Sequence, residues 1–270
     1  MKARAWIVTV TVAFLTVVAL ECWAAPVPGR IAISSDGNRH DRDDWFATAV
    51  TVAILAKTGN ASRLKLYSFN DHIWSTSCCN REEEMRKSAV ETARMYGGFD
   101  LSRFINAKQN PNAAVDRLVA EINASTSSNP LWIIAAGPME IVGRALNKSA
   151  SSRRQYVTVI SHSTWNDNHA DRPASTESQH RGWTWDEIGR MSSPPRRKHL
   201  PDQNSGLYTS HSTYHEWRDS SDAKKRWLWS RNMATGIDWP DCSDAGMAAW
   251  LTTGRTDERA SPSEIKALVR

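Results

Sequence analysis

Asp36, Asp41, Asp43 and Asp44 fall within one short stretch of the chain, with Asn38 and His40 among them. Carboxylates this crowded repel one another unless a cation or a tightly bound polar ligand sits between them. A solvated acidic turn at the start of a helix accounts for one or two of them, because Asp43 and Asp44 suit a positive helix N-terminus. Four, directly after a hydrophobic segment, point to a site for a hard cation.

The elements around the aspartates say where such a site would lie. Ile31–Ser35 opens on Ile31-Ala32-Ile33, short and β-branched, which suits a buried strand. Asp36-Gly37-Asn38 then favours a turn. A helix should begin near Asp43-Asp44, with Ala47, Val50, Ile54 and Leu55 at helical spacing. In an open α/β sheet, the C-terminal ends of the strands are where ligands bind.

Further along, Leu64–Phe69, Leu131–Ala135 and Tyr156–Ile160 read as strands. Helices are expected over Glu82–Tyr96, from Pro111 (capped by Asn110) to Asn123, over Met139–Asn147 and Tyr214–Asn232, and after Asp244. Ser261-Pro262-Ser263-Glu264 forms a capping box for a last helix, Pro262–Val269. Residues 170–212 read as long loops with a short strand at Gly206–Thr209. Strands alternating with helices predict an α/β fold, a single domain over residues 26–270 with a mostly parallel central sheet flanked by helices.

At 270 residues the chain can bury a large core. Residues 1–25 read as a secretory signal peptide: Lys2 and Arg4, the apolar run Ala5–Leu20, then Ala24-Ala25. That implies a secreted or periplasmic protein with no membrane attachment after cleavage. Removing this segment takes away two cations and one anion, leaving a mildly basic balance from the starting +5. Basic residues are scattered apart from Arg196-Arg197-Lys198, so nucleic acid is not an expected partner. Cys78, Cys79 and Cys242 remain; adjacent cysteines bond each other only under strain, so Cys242 with one of the pair is the expected disulfide. Of the 13 tryptophans, Trp45, Trp165, Trp183, Trp185 and Trp239 sit in polar company, where rings serve sugar stacking as well as cores. Oligomeric state is left open.

The order of these elements resembles the nucleoside hydrolases. That family opens with a strand, D-x-D-P-G-x-D-D and a helix, as Ile31–Ala47 does; it carries a strand, G-P-L-T-N and a helix, which LWIIAAGPMEIVGRAL (131–146) resembles. It also begins a late helix with an aspartate, the part taken by Asp241-Cys242-Ser243-Asp244-Ala245-Gly246-Met247. The closer resemblance is to secreted bacterial nucleoside-hydrolase-like proteins associated with polysaccharide degradation. It implies a Ca²⁺ site built from Asp36, Asn38, Asp44, the main-chain carbonyl of Ala136, and Asp244. Oxygen donors of this kind suit calcium, and no zinc spacing is present.

Two departures from the family pattern bear on the chemistry. Asn38 stands where the family has its water-activating aspartate, and an amide accepts no proton. One extra residue lies between Asp36 and Asp44, which brings Asp41 forward as the catalytic base. Ser243 stands where some members have a histidine, so His162, after the fourth strand, becomes the candidate acid, a position that equally suits a polar loop histidine. Asp43, Asn166, Asn168 and Trp165 are expected to bind substrate, with Asn166 and Asn168 equally suited to a turn. The implied activity is calcium-dependent N- or O-glycosyl hydrolysis of a carbohydrate or glycoside; the alternative is a catalytically silent glycan-binding protein that keeps the metal.

Overall fold

The computed structural model describes residues 26–38, 42–74, 80–168, 182–239 and 241–270. The leader, residues 1–25, lies outside them, as do Asp41, Cys78 and Cys79. Six strands are described: β1 Arg30–Ser35, β2 Leu64–Phe69, β3 Phe104–Asn106, β4 Leu131–Ala136, β5 Val157–Ser161 and β6 Arg196–His199. They form one sheet in the order β3-β2-β1-β4-β5-β6, and every neighbouring pair is parallel. This is the doubly wound order. Its direction reverses between β1 and β4, where loops leave the sheet in opposite directions and open a crevice at the strands' C-terminal ends.

The helices in chain order are α1 Asp44–Lys57, α2 Asn80–Arg86, α3 Thr92–Tyr96, α4 Pro111–Asn123, α5 Glu140–Lys148, α6 Ser151–Arg154 and α7 Thr164–Asn168. There follow α8 Trp185–Gly189, α9 Asn204–Leu207, α10 His215–Arg218, α11 Ala223–Ala234, α12 Ser243–Thr253 and α13 Pro262–Leu268. Ile31, Ile33 and Ile134 face one core with α1, α12 and α13. Ala32, Ile133, Val157 and Val159 face the other with α4, α5 and Ile188 of α8. Helix α1 is buried nearly all round, from Asp44 to Leu55, because α12 and α11 cover the side turned away from the sheet.

Several expectations are corrected. The helix read over Glu82–Tyr96 is interrupted by a π-helical turn, Lys87–Glu91. Tyr214–Asn232 is broken between α10 and α11, where Asp222 caps α11 by accepting from the Lys224 amide. Gly206–Thr209 is no strand: α9 runs to Leu207, and Tyr208 makes an isolated antiparallel bridge to Asp241. Cys242 is a free, buried thiol, 3.1 Å from the Tyr214 hydroxyl. It therefore does not form the expected disulfide.

Close approach of the chain at the switch point requires glycine. Gly137, just after β4, has φ +152°, and a Cβ there would lie 2.9 Å from the Asp36 amide and carboxyl. Gly137→Ala should destabilise the protein by roughly 1–3 kcal/mol, since backbone rather than a flexible side chain must yield. Urea unfolding tests this; a wild-type midpoint would mean that the end of β1 yields freely.

Candidate functional site

Asp36 leaves the end of β1 with its amide donating to the Ala136 carbonyl, 3.2 Å away across the switch point. Gly37 follows at φ +99°, and its carbonyl accepts from the Trp45 indole at 2.7 Å. That bond folds the chain back on α1, so Asp43 and Asp44 stand at the helix N-terminus. On the neighbouring helix, α12 carries Asp244 in its first turn. Asp241 just before it accepts from the Ser243 amide at 3.0 Å and hydroxyl at 2.8 Å. Two helix N-termini therefore supply positive potential to one group of carboxylates.

Asp36, Asp43, Asp44, Asp241 and Asp244 line one pocket of about 220 Å³ together with His162, Ser163, Trp165, Asn166, Asn204 and Ser243. Asp36 is 2% exposed. Burial pushes its carboxyl up to about 7, a hydrogen bond with Asp44 opposes the rise, and the charge of Asp244 adds to it. Burial likewise raises Asp241, against its Ser243 bonds and a hydrogen bond with Asp43. Protonated carboxyls thus relieve part of the repulsion.

His162 follows β5 and is nearly buried. Its Nε2 lies 2.9 Å from Asp244 Oδ1, and its Nδ1 accepts from the Gln203 amide at 3.4 Å. The neutral ring therefore carries its proton on Nε2 and donates it to Asp244. Burial opposes a charge on His162, but the Asp244 hydrogen bond and charge, with Asp241 and Asp202, outweigh it and hold its pKa above the ordinary value. Gln203 is itself pinned: its amide nitrogen donates to Pro201 O and Glu258 O, and its oxygen accepts from the Ala260 amide. Asn166 donates to the same Asp244 oxygen at 3.4 Å.

Of the residues singled out from sequence, Asp36, Asp43, Asp44, His162, Trp165, Asn166 and Asp244 meet in this pocket. Asn38 does not line it. Its amide exchanges two 3.2 Å hydrogen bonds with the His72 main chain, so its oxygen is already accepting. Asn168 is exposed and donates to Thr164 O of its own helix. The Ala136 carbonyl borders the site but already accepts from Asp36. Trp183 packs against Gly143, and Trp185 lies against Arg197 and His199, so neither lines the pocket.

Sequence reasoning passed over Asp241, Asp71 and His72. Asp241 was in view as part of the late motif, but its approach to Asp43 depends on how α1 and α12 pack. Asn70-Asp71-His72 ends β2 beside β1. Asp71 accepts from the Ser34 and Ser68 hydroxyls, and burial raises its carboxyl to about 7. His72 Nε2 lies 3.2 Å from Asp36 Oδ2, without the alignment of a hydrogen bond.

Among the described residues, no group of three His, Cys, Asp or Glu side chains is arranged as a metal-ligand cluster. The donors nevertheless fit a hard cation. They are carboxylates and a carbonyl, and Asp36 Oδ2 is buried with no hydrogen bond to satisfy it.

The raised carboxyls fix a pH dependence. Asp36 and Asp71 keep protons up to about 7 in the folded chain, whereas the unfolded chain releases them near the ordinary carboxyl value of 3.8. The folded state thus binds more protons across that window, and stability falls as pH rises through it. Asp71→Asn should flatten part of this fall. Urea midpoints across the window in the presence of a chelator test it; an unchanged slope would remove Asp71 from the account.

No protein-family model matches the chain. A crystal structure of an inosine-uridine preferring nucleoside hydrolase from Bacillus anthracis is similar to it with a TM-score of 0.49 and 12% identity, over 89% of this chain and 99% of that one. The uncharacterized protein P22 of Formosa agariphila is 32% identical over 262 residues, spanning 90% of this chain and 92% of that protein. With that identity over nearly the whole of both proteins, the chain belongs to the same family as P22 of Formosa agariphila.

Proposed function

We propose that the pocket at the switch point is the site of a secreted, calcium-dependent glycosyl hydrolase acting on a carbohydrate or glycoside. The observation that carries this reading is the convergence of five aspartates with Asn166 and Trp165 in one small pocket. The resemblance of Ile31–Ala47 and of residues 131–146 to nucleoside hydrolase motifs supports it. The leader-like residues 1–25 support export to the periplasm or medium. In the described residues no helix is long and apolar enough to cross a membrane.

In this reading Asp36, Asp44 and Asp244 hold the calcium, with the Ala136 carbonyl beside them. Bound calcium lowers the pKa of a coordinated water and holds sugar hydroxyls. Asp43 and Asn166 accept from and donate to those hydroxyls, and Trp165 packs against the ring face. The negative cluster stabilises an oxocarbenium-like transition state. Asp41, two positions before Asp43 in the sequence and outside the described residues, would be the base that Asn38 cannot be. In this reading His162 positions Asp244 instead of serving as the leaving-group acid expected from sequence. Both its nitrogens are engaged, by Asp244 and Gln203, so it holds Asp244 in position.

Asp44→Ala should abolish calcium binding and the thermal stabilisation that calcium confers, because the remaining carboxylates lose their shared counter-ion. Titration calorimetry decides this; equal affinity in both proteins would remove the metal from this pocket. Turnover on p-nitrophenyl glycosides and inosine tests the chemistry. Asp41→Asn should cost about a hundredfold or more, the scale of a lost general base. His162→Gln retains a donor for Asp244 and should cost less than about tenfold. A hundredfold loss in His162→Gln, together with loss of the alkaline limb of the pH profile, would restore histidine as the acid.

One observation favours a second reading, a glycan-binding protein without turnover. The Asn38 amide is bonded at both ends to the His72 backbone, so that position is built into the structure without a proton acceptor. Calcium and glycan binding with no hydrolysis of any glycoside would establish it.

A further inference from the structure

Two large rings stand in solvent beside the acidic pocket. Tyr208 is 54% exposed and Trp239 53%; their centroids are 6.3 Å apart and their planes inclined by 30°. Burying rings of this size is favourable, and the chain does so elsewhere with Trp45, Trp217, Tyr67 and Tyr214. This pair is left out.

Both rings sit on the segments that form the pocket wall. Tyr208 directly follows α9, which supplies Asn204 to the pocket, and it bridges to Asp241. Leu207 O accepts from the Cys242 amide at 3.4 Å, continuing the same pairing. Trp239 precedes Asp241 by two positions. The loop before it passes close to Arg42, since a Cβ on Gly236 would lie 3.9 Å from the Arg42 guanidinium. The rings are thus continuous with the wall that carries Asp43 and Asp241.

Their surroundings are polar rather than greasy. Asp238 is exposed next to Trp239, and just past Tyr208 the Ser210 and Ser212 hydroxyls are hydrogen-bonded to each other. Flat rings set among carboxyl and hydroxyl groups match a sugar, which offers C–H faces to the rings and hydroxyls to the rim. The pocket itself, at about 220 Å³, is below the roughly 300 Å³ that begins to hold drug-sized ligands. It takes one sugar ring. Anything longer must continue outside.

Resting on the sugar-site reading above, we infer that Tyr208 and Trp239 form a second sugar-ring subsite, so that the ligand is an oligosaccharide with its terminal unit in the pocket. A nucleoside or a free monosaccharide would leave this subsite empty.

The test uses the full chain with calcium on an array of neutral and uronic-acid oligosaccharides, from monosaccharide to hexasaccharide, followed by calorimetry on the sugars retained. Wild type should bind an oligosaccharide about tenfold or more tightly than its terminal monosaccharide, the scale of an aromatic hot spot. Replacing Tyr208 and Trp239 together by alanine should remove that increment and leave monosaccharide affinity within about twofold, while Trp239→Tyr should keep most of it. Both positions are exposed, so folding is not at stake; circular dichroism checks it. Absence of a chain-length increment in wild type, or its survival in the double variant, overturns the inference and leaves the sugar-site reading standing. So does sedimentation showing that the rings join two copies of the chain, with oligosaccharide affinity unchanged on their removal. If wild type retains no sugar of any length, the sugar-site reading itself falls and takes this inference with it.

Discussion

Mutual repulsion among buried carboxylates is the constraint on which the site depends. Asp36 comes from the sheet, Asp43 and Asp44 from the start of α1, and Asp241 and Asp244 from the start of α12. The fold manages their proximity with shared protons, as the raised Asp36 and Asp241 carboxyls indicate, and with two helix N-termini. Among the described residues lining the pocket the basic side chain is His162, held against Asp244. In the calcium reading proposed above, a cation would take up charge that protons and helix dipoles leave unbalanced.

The elements that deliver these groups were unequally visible in the sequence. Strands β1, β2, β4 and β5 are buried on both faces and read as largely apolar runs, with boundaries that agree to within a residue. Strand β3 is three residues long, too short to show a period. Leu207 and Tyr208 look strand-like because their side chains favour strands, yet the chain there caps a helical turn. The break at Asp219-Ser220-Ser221-Asp222 was hidden by strong helix formers on either side.

The site was legible where chemistry coincided with the end of a strand or the start of a helix, as at Asp36, Asp44, His162 and Asp244. It was not legible where a role arises from contact across the fold. Asp71 gains its environment from Ser34 on the adjacent strand, and Asn38 loses its ligand oxygen to the His72 main chain. Nothing in the spacing of either pair announces this. Tryptophan was ambiguous for the same reason: Trp45 serves the core and its loop, and among the described tryptophans Trp165 lines the pocket.

The run Arg196-Arg197-Lys198-His199 turns out to be β6, the outer strand next to β5. Its strand character comes from that pairing, since a sequence this basic has little of its own. An open sheet margin is a template onto which further chains can add, and aggregation begins there. Arg196 and Arg197 are exposed on β6 and oppose a second copy of the same strand, while Lys198 pairs with Glu258 and His199 with Asp167. Exposed positive charge on such an outer strand disfavours edge-to-edge addition of another copy; six strands are described in the sheet.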